Sequence, residues 1–454
     1  MMRSGVFFVL LWTVGGMVQA GLYDRHTWKH FTTEDGLSQN AVMDMLQDSR
    51  GYMWMATWDG LNRFDGNDFR SYKVRPGDDV YLTSSRIDKM EEDAWGYLWL
   101  LAYGKNVVRF DPNAERFTNV PARSFGHFSV GDLQTLSTGT TWLLAEGEGA
   151  LRVLTDSTTK ALSYEWYARS SGSLAGSRVH RVFADSRGNE WLLTQKGLYF
   201  IEAGSNKLQC FFGAGQSDGA GQSFFSALDA GQELWFGADH GRVWRYQKES
   251  GRFVHLQLPT QEAISGVYKI AAHSVLLVSE RSGLYLYREG EAQVEILRRP
   301  ADEAWEEGPF FFQSSTRDVW VQASRSLMLR FDARDARVDS FTIGSISDDG
   351  SGDPAFMMHE DCNRAVWLHP FGGGLFVWDP ERMVLRRFFT NEKEAPQFSD
   401  RLHAMLSDRQ GNLWVGTRAK GLERFVFPGR EFELIEINPD RSLVSNNDVR
   451  AVFR

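Results

Sequence analysis

A single pattern recurs along this chain, its copies centred 42–49 residues apart, and that repetition limits the fold more than any other feature. The clearest copies run from Asp48-Ser-Arg-Gly51 through Trp54 to Thr57, then Gly60-Leu-Asn-Arg-Phe64, and from Asp408-Arg-Gln-Gly411 through Trp414 to Thr417, then Gly421-Leu-Glu-Arg-Phe425. Asp93, Gly96 and Trp99 repeat the first half, as do Asp185, Gly188 and Trp191. Weaker copies centre on Trp142, Trp235, Leu277, Trp320 and Trp367. Nine copies within 454 residues leave no room for a conventional two- or three-domain enzyme. Short strands at a period of 40–50 residues, marked by glycine and tryptophan, are the signature of propeller blades.

Each copy reads as four strands. In the first they cover 42–46, 53–57, 61–64 and 69–72, with tight turns at Asp48-x-x-Gly51 and Asp59-Gly60. Aspartate suits those turns because its carboxylate bonds nearby backbone, and glycine because it tolerates positive φ. Trp54, Trp99 and Trp191 are expected between neighbouring blades, where a large ring finds a core. Residues 27–32 resemble an outermost strand with nothing before it, and are read as a ring-closing strand. The expected fold class is all-β. A seven-bladed propeller spans 21–345, a seam lies at Asp348–Asp353, and 346–454 hold the first two to three blades of a second propeller. Residues 443–452 resemble the entry to a further blade, so the chain is read as a fragment of a longer protein.

Residues 1–20 read as a secretory signal: Arg3, an apolar run from Val6 to Trp12, and Val18-Gln-Ala20 before the cleavage point. No later stretch reaches 18 apolar residues, so the expected location is exported and periplasmic, with the membrane met only through a helix absent from this sequence. A formal charge of −9 argues against nucleic-acid contact, which needs clustered lysine and arginine. Cys210 and Cys362 form neither a disulfide framework nor a zinc-site spacing.

No catalytic residue, metal or cofactor is expected. Gly215-Gln-Ser-Asp-Gly219 fits a nucleophile elbow in letters, but it lies in a glycine-rich stretch rather than between a strand and a helix. Asp48, Asp93, Asp185 and Asp408 share one turn position on different blades, which disperses them too widely for paired carboxylate chemistry. The innermost strands carry Met43, Asp88, His180 and His403 five residues before that aspartate, and Asp88 and His180 are read as channel-lining. The turns between the second and third strands vary in charge and ring type while their neighbours repeat. They supply the candidate ligand-binding residues Trp58, Tyr103, Lys105, His240, Arg281 and His369, aromatic and polar groups that suit a sugar.

The segments Phe31-Thr-Thr-Glu-Asp-Gly-Leu-Ser-Gln-Asn40, Gln47-Asp48, Gly60-Leu-Asn-Arg-Phe-Asp-Gly66, Arg75-Pro-Gly-Asp78 and Gly96-Tyr-Leu-Trp-Leu100 resemble the two-component regulator propeller repeat, and the likeness extends over 27–454. The resemblance implies the periplasmic sensor of a hybrid histidine kinase with two seven-bladed propellers, a small β-sandwich, a membrane helix and the kinase beyond. It further implies an oligosaccharide ligand, homodimeric full-length protein and control of glycan-utilisation genes. The sequence departs from the family's repeat in copies three, five, six and seven, which lack the Asp-x-x-Gly turn. The alternatives are a stand-alone protein-binding propeller and a propeller lyase or glycosidase.

Overall fold

In a computed structural model, the described residues are 26–73, 84–120, 129–147, 149–168, 174, 177–212, 221–281, 283–291, 293–298, 310–324, 327–342, 356–370, 374–380, 382–389 and 401–427. The leader at 1–20, the seam and domain boundary near 345, the Gly215–Gly219 motif and the blade entry at 443–452 lie outside them. The described strands form nine four-stranded antiparallel sheets. Blades 1 to 8 span 42–72, 87–119, 130–167, 179–212, 224–257, 264–298, 310–342 and 357–389, each with its strands, here A to D, in sequence order. Blade 9 takes strands A to C from 402–426 and its strand D from the start of the chain. There Thr27–Phe31 runs antiparallel to Leu422–Val426, with Phe31 opposite Leu422.

The expected seven-bladed ring with a partial second propeller is therefore corrected to nine blades, closed between blade 9 and blade 1. The reading of 27–32 as a strand completing a ring's last blade holds; the number of blades did not. Nine inter-blade cores account for the closure. At the seam expected after blade 7, Trp320 and Met328 pack with Phe356, Val366, Leu368 and Trp378 of the blade 8 segment. Trp320 and Trp378 meet edge to face at 5.3 Å, and Ser315 donates to Glu360 across the same boundary. Among the described residues, an apolar core therefore continues from blade 7 into blade 8 as it does between the other blades. At the true closure Phe31 lies 5.9 Å from Trp414 and 5.4 Å from Phe64, joining blade 9 to blade 1. The Arg409 guanidinium donates to the carbonyls of Asp48 (2.7 Å) and Ser49 (3.2 Å).

The repeated sequence explains how each blade is made. Asp48 Oδ1 accepts from the backbone N–H of Arg50 and Tyr52, bracing the A–B hairpin, and its Oδ2 accepts from Trp54 Nε1 at 2.9 Å. The same tether joins Asp93 to Trp99, Asp185 to Trp191, Asp361 to Trp367 and Asp408 to Trp414. Aspartate thus makes the turn and satisfies a buried indole, which would otherwise lose a hydrogen bond in the core. Trp54, Trp99 and Trp191 are fully buried, as expected. Blade 3 lacks the aspartate; there Trp142 Nε1 donates to Glu190 of blade 4 at 3.0 Å.

Glycine at the entry to strand C is required by close approach. A Cβ on Gly197 would lie 1.9 Å from Phe212 O, and one on Gly421 would lie 2.2 Å from Phe31 O. The equivalence of Phe212 and Phe31 places the N-terminal strand as a true strand D.

Candidate functional site

The B–C turns emerge on the same face as the residues leading into strands A. Trp58 N donates to Ala41 O (3.2 Å) and Tyr103 N to Arg86 O (3.0 Å), each within one blade. Gly60 N reaches Ser85 O of the next blade at 2.9 Å, and Gly241 N reaches Glu262 O at 2.7 Å. Strands A lie against one another between blades 1 and 2, 2 and 3, 4 and 5, 5 and 6, 8 and 9, and 9 and 1.

In seven blades the second residue of strand A is skipped in the A–B pairing. Those residues are Met43, Asp88, Gly131, His180, Phe225, Ser265 and His403. A β-bulge re-aims the side chain it carries, and all four positions singled out in the sequence are such residues. Two pairs meet across blades: His403 Nδ1 lies 3.1 Å from Met43 Sδ, and His180 stacks on Phe225 at 5.2 Å. Burial, reinforced by the Arg178 charge, holds His180 below the usual imidazole range.

On blades 1 and 2 these elements build one cluster. The Arg86 guanidinium lies 5.3 Å from the Trp58 ring and 4.5 Å from the Tyr103 ring. Its Nε donates to Asp88 Oδ1 at 2.6 Å. Trp58 Nε1 points at Met43 Sδ, 3.0 Å away, which links the cluster to His403 of blade 9. Yet the rings stay open to solvent, Trp58 at 38% and Tyr103 at 58%. Cation–π contact fixes two exposed aromatic faces around a cation whose Nη groups hold no hydrogen bond among the described residues. This arrangement can stack an apolar ring face and hydrogen-bond its polar edge. Sequence reasoning named Trp58, Tyr103, Asp88 and Met43 but missed Arg86. The available signal was its place two residues before Asp88, at the mouth-facing end of strand A.

The other candidates have described contacts elsewhere on the blades. Lys105 pairs with Glu146 at 3.3 Å, and Glu146 is held below the usual carboxylate range by Ser129 and then Lys105. His240 pairs with Asp239 at 3.2 Å on blade 5. Arg281 is exposed on blade 6, its backbone N–H on Glu262 Oε2 at 2.7 Å.

His369 is a departure from the expected rim: it is 3% exposed, inside blade 8. Its Nδ1 lies 2.7 Å from Gly374 O, and Nε2 accepts from Leu402 N at 3.4 Å, so the neutral ring uses both nitrogens. A β-strand alternates its faces, and this histidine ends strand B on the side that faces blade 9. Burial pushes its pKa down to about 4. A histidine depressed in the folded state contributes stability that is complete above its unfolded value and is lost as pH falls through the folded one. The His369 contribution should therefore fall by about 3 kcal/mol between pH 6.5 and 4. Urea unfolding across that window, compared with His369→Gln, reads it; parallel pH profiles for the two proteins would refute it.

Among the described residues, no cluster of three or more metal-ligating side chains is present.

The two-component regulator propeller family model matches residues 36–59 and 397–419. Among the described residues, these segments carry strands A and B of blades 1 and 9 with the turn between them, on either side of the ring closure. The histidine kinase P4 of Formosa agariphila is 39% identical over 83 residues, which are 18% of this chain and 6% of that protein. Among solved structures, the Dos1 propeller is similar with a TM-score of 0.55 at 10% identity, covering 88% of this chain and 95% of that one. It supports the propeller fold alone. An extracellular domain assigned to a hybrid two component system of B. thetaiotaomicron has a TM-score of 0.39 at 16% identity, with 91% of this chain and 55% of that one covered. The chain thus spans a small part of the curated kinase and about half of the extracellular domain.

Proposed function

We propose that this chain, a propeller built with two-component regulator repeats, is the exported sensing domain of a hybrid histidine kinase and binds a glycan-derived oligosaccharide without turning it over. The regulator repeats and the matched segment of a histidine kinase support the signalling role. One observation carries the ligand reading: the exposed Trp58 and Tyr103 rings bridged by Arg86 at the mouth of the propeller. Sugars bind by stacking an apolar face on aromatic rings while their hydroxyls meet fixed polar groups. Arg86 and Asp88 supply such groups, and their 2.6 Å bond fixes them before a ligand arrives. The signal would be a differential-affinity switch: ligand favours one packing of two copies over another, and the kinase beyond this chain reads the change. Residues 1–20 supply the export address.

Calorimetry of the full chain against a panel of glycan oligosaccharides, with product analysis of the same samples, tests the reading. Saturable heat without new products is expected. Trp58→Ala should weaken that binding about tenfold, the equivalent of about 1.4 kcal/mol. Cleavage products would make the protein an enzyme, and silence across the panel would move it to the protein-binding propellers.

A further inference from the structure

Blade 5 carries a second feature on the same face. A cleft of about 510 Å³ is lined by His240, Arg242, Gln257, Leu258, Pro259, Thr260 and Gln261. That volume is within the range of small-ligand pockets. Its cation is Arg242, at the entry to strand C (Arg242–Gln257 pair across strands C and D). Among the described residues Arg242 forms no ion pair, whereas Arg86, Arg245 and Arg330 each hold a carboxylate. The acids around the cleft are engaged elsewhere. Asp239 pairs with His240 and accepts from Ser223 N at 3.1 Å, and Glu262 accepts from Arg281 N at 2.7 Å. Gln257 Nε2 donates to the carbonyls of His240 (2.8 Å) and Leu258 (3.0 Å), fixing the cleft wall. The Arg242 charge also reaches His255 on strand D and, after burial, lowers its pKa. On blade 4, Arg178 and Lys196 of the same face likewise form no ion pair among the described residues.

We propose that this cleft is an anion subsite that takes the carboxylate or sulfate group of an acidic sugar, held by the Arg242 guanidinium with Pro259 beneath the ring. A guanidinium binds a planar carboxylate through two parallel N–H···O bonds, and gains most where no protein acid competes. A local positive field within a chain of formal charge −9 selects for an anion at this point rather than over the whole surface. The proposal rests on the sensor reading for its ligand class and deepens it: the oligosaccharide is acidic.

The test titrates the full chain with a hexuronic-acid trisaccharide, its carboxyl-reduced neutral counterpart and a sulfated trisaccharide. Wild type should bind an acidic form, and Arg242→Gln should lose about tenfold to a hundredfold of that affinity while the neutral form is unaffected. Whichever acidic form shows the dependence identifies the source of the anion. Arg242→Lys keeps the charge but not the fork and should fall between, which keeps the test decisive if Arg242→Gln unfolds. Equal affinity for acidic and neutral forms, or acidic binding untouched by both substitutions, overturns the subsite. If neutral sugars still bind in a Trp58-dependent way, the sensor reading survives that result. Anion binding that depends on Arg242 with no Trp58 dependence would do the reverse, upholding the subsite and removing the stacking platform.

Discussion

A chain lacking residues 26–32 should lose its cooperative unfolding transition, because the deletion opens a ring rather than trims an end. Thr27–Phe31 makes five register pairs with the last blade, and without it Leu422–Val426 becomes a bare edge. Phe31 is 2% exposed and packs on Phe64, Phe69 and Trp414, so it belongs to both blade 1 and blade 9. Losing this ring alone should cost about 3–5 kcal/mol, a large share of the roughly 5–15 kcal/mol that holds a domain together. Phe31→Ala measures that component by thermal and urea unfolding; the deletion should go further and expose blade 9 to limited proteolysis. An unchanged melting temperature in the deletion variant would show that the ring closes elsewhere.

Glu190→Ala should be the most damaging single substitution of a charged residue in blades 3 and 4. The Glu190 carboxylate is 2% exposed and lies 2.9 Å from Arg152 Nε. It also accepts from Thr140 Oγ1 at 2.5 Å, Thr138 Oγ1 at 3.1 Å and Trp142 Nε1 at 3.0 Å. Removing it leaves a buried indole without its acceptor and the buried guanidinium with Glu165 as its one remaining carboxylate among the described residues. Breaking a buried pair by deleting one partner costs about 3–5 kcal/mol, chiefly through the charge left behind. Glu190→Gln keeps one acceptor oxygen, enough for the Trp142 indole while the amide N–H groups face the threonine hydroxyls, which can accept, and should lose less. Equilibrium denaturation of the two variants separates the charge from the hydrogen bonds; a loss under about 1 kcal/mol for Glu190→Ala would mean that Glu165 already suffices for Arg152.

That carboxylate also shows where sequence reading stops. The tether from Asp48 to Trp54 lies within one copy, six residues apart, so the motif announces it. The bond from Trp142 to Glu190 spans 48 residues and two blades, and no local pattern marks it. The candidate site divides the same way. Trp58 and Tyr103 stand out because variable turns interrupt a repeating frame, but Arg86 acquires its role only where two blades bring it between both rings. His369 reads as a turn residue in the sequence, yet it is the last residue of strand B, where the packing of blades 8 and 9 buries it.

The blade is written along the chain: strand lengths, hairpin aspartates, the strand C glycines, the inter-blade tryptophans and the N-terminal strand that completes a sheet. Those are local, set by turn chemistry and by an alternation of apolar residues that one copy displays in full. The number of blades in the ring is set by long-range packing. Buried apolar cores join blade 6 to blade 7 and blade 7 to blade 8 alike, so among the described residues the apolar packing continues past blade 7. Closure depends on the angle accumulated between blades until Thr27–Phe31 can pair with Leu422–Val426, and that angle belongs to the packing of all nine sheets together.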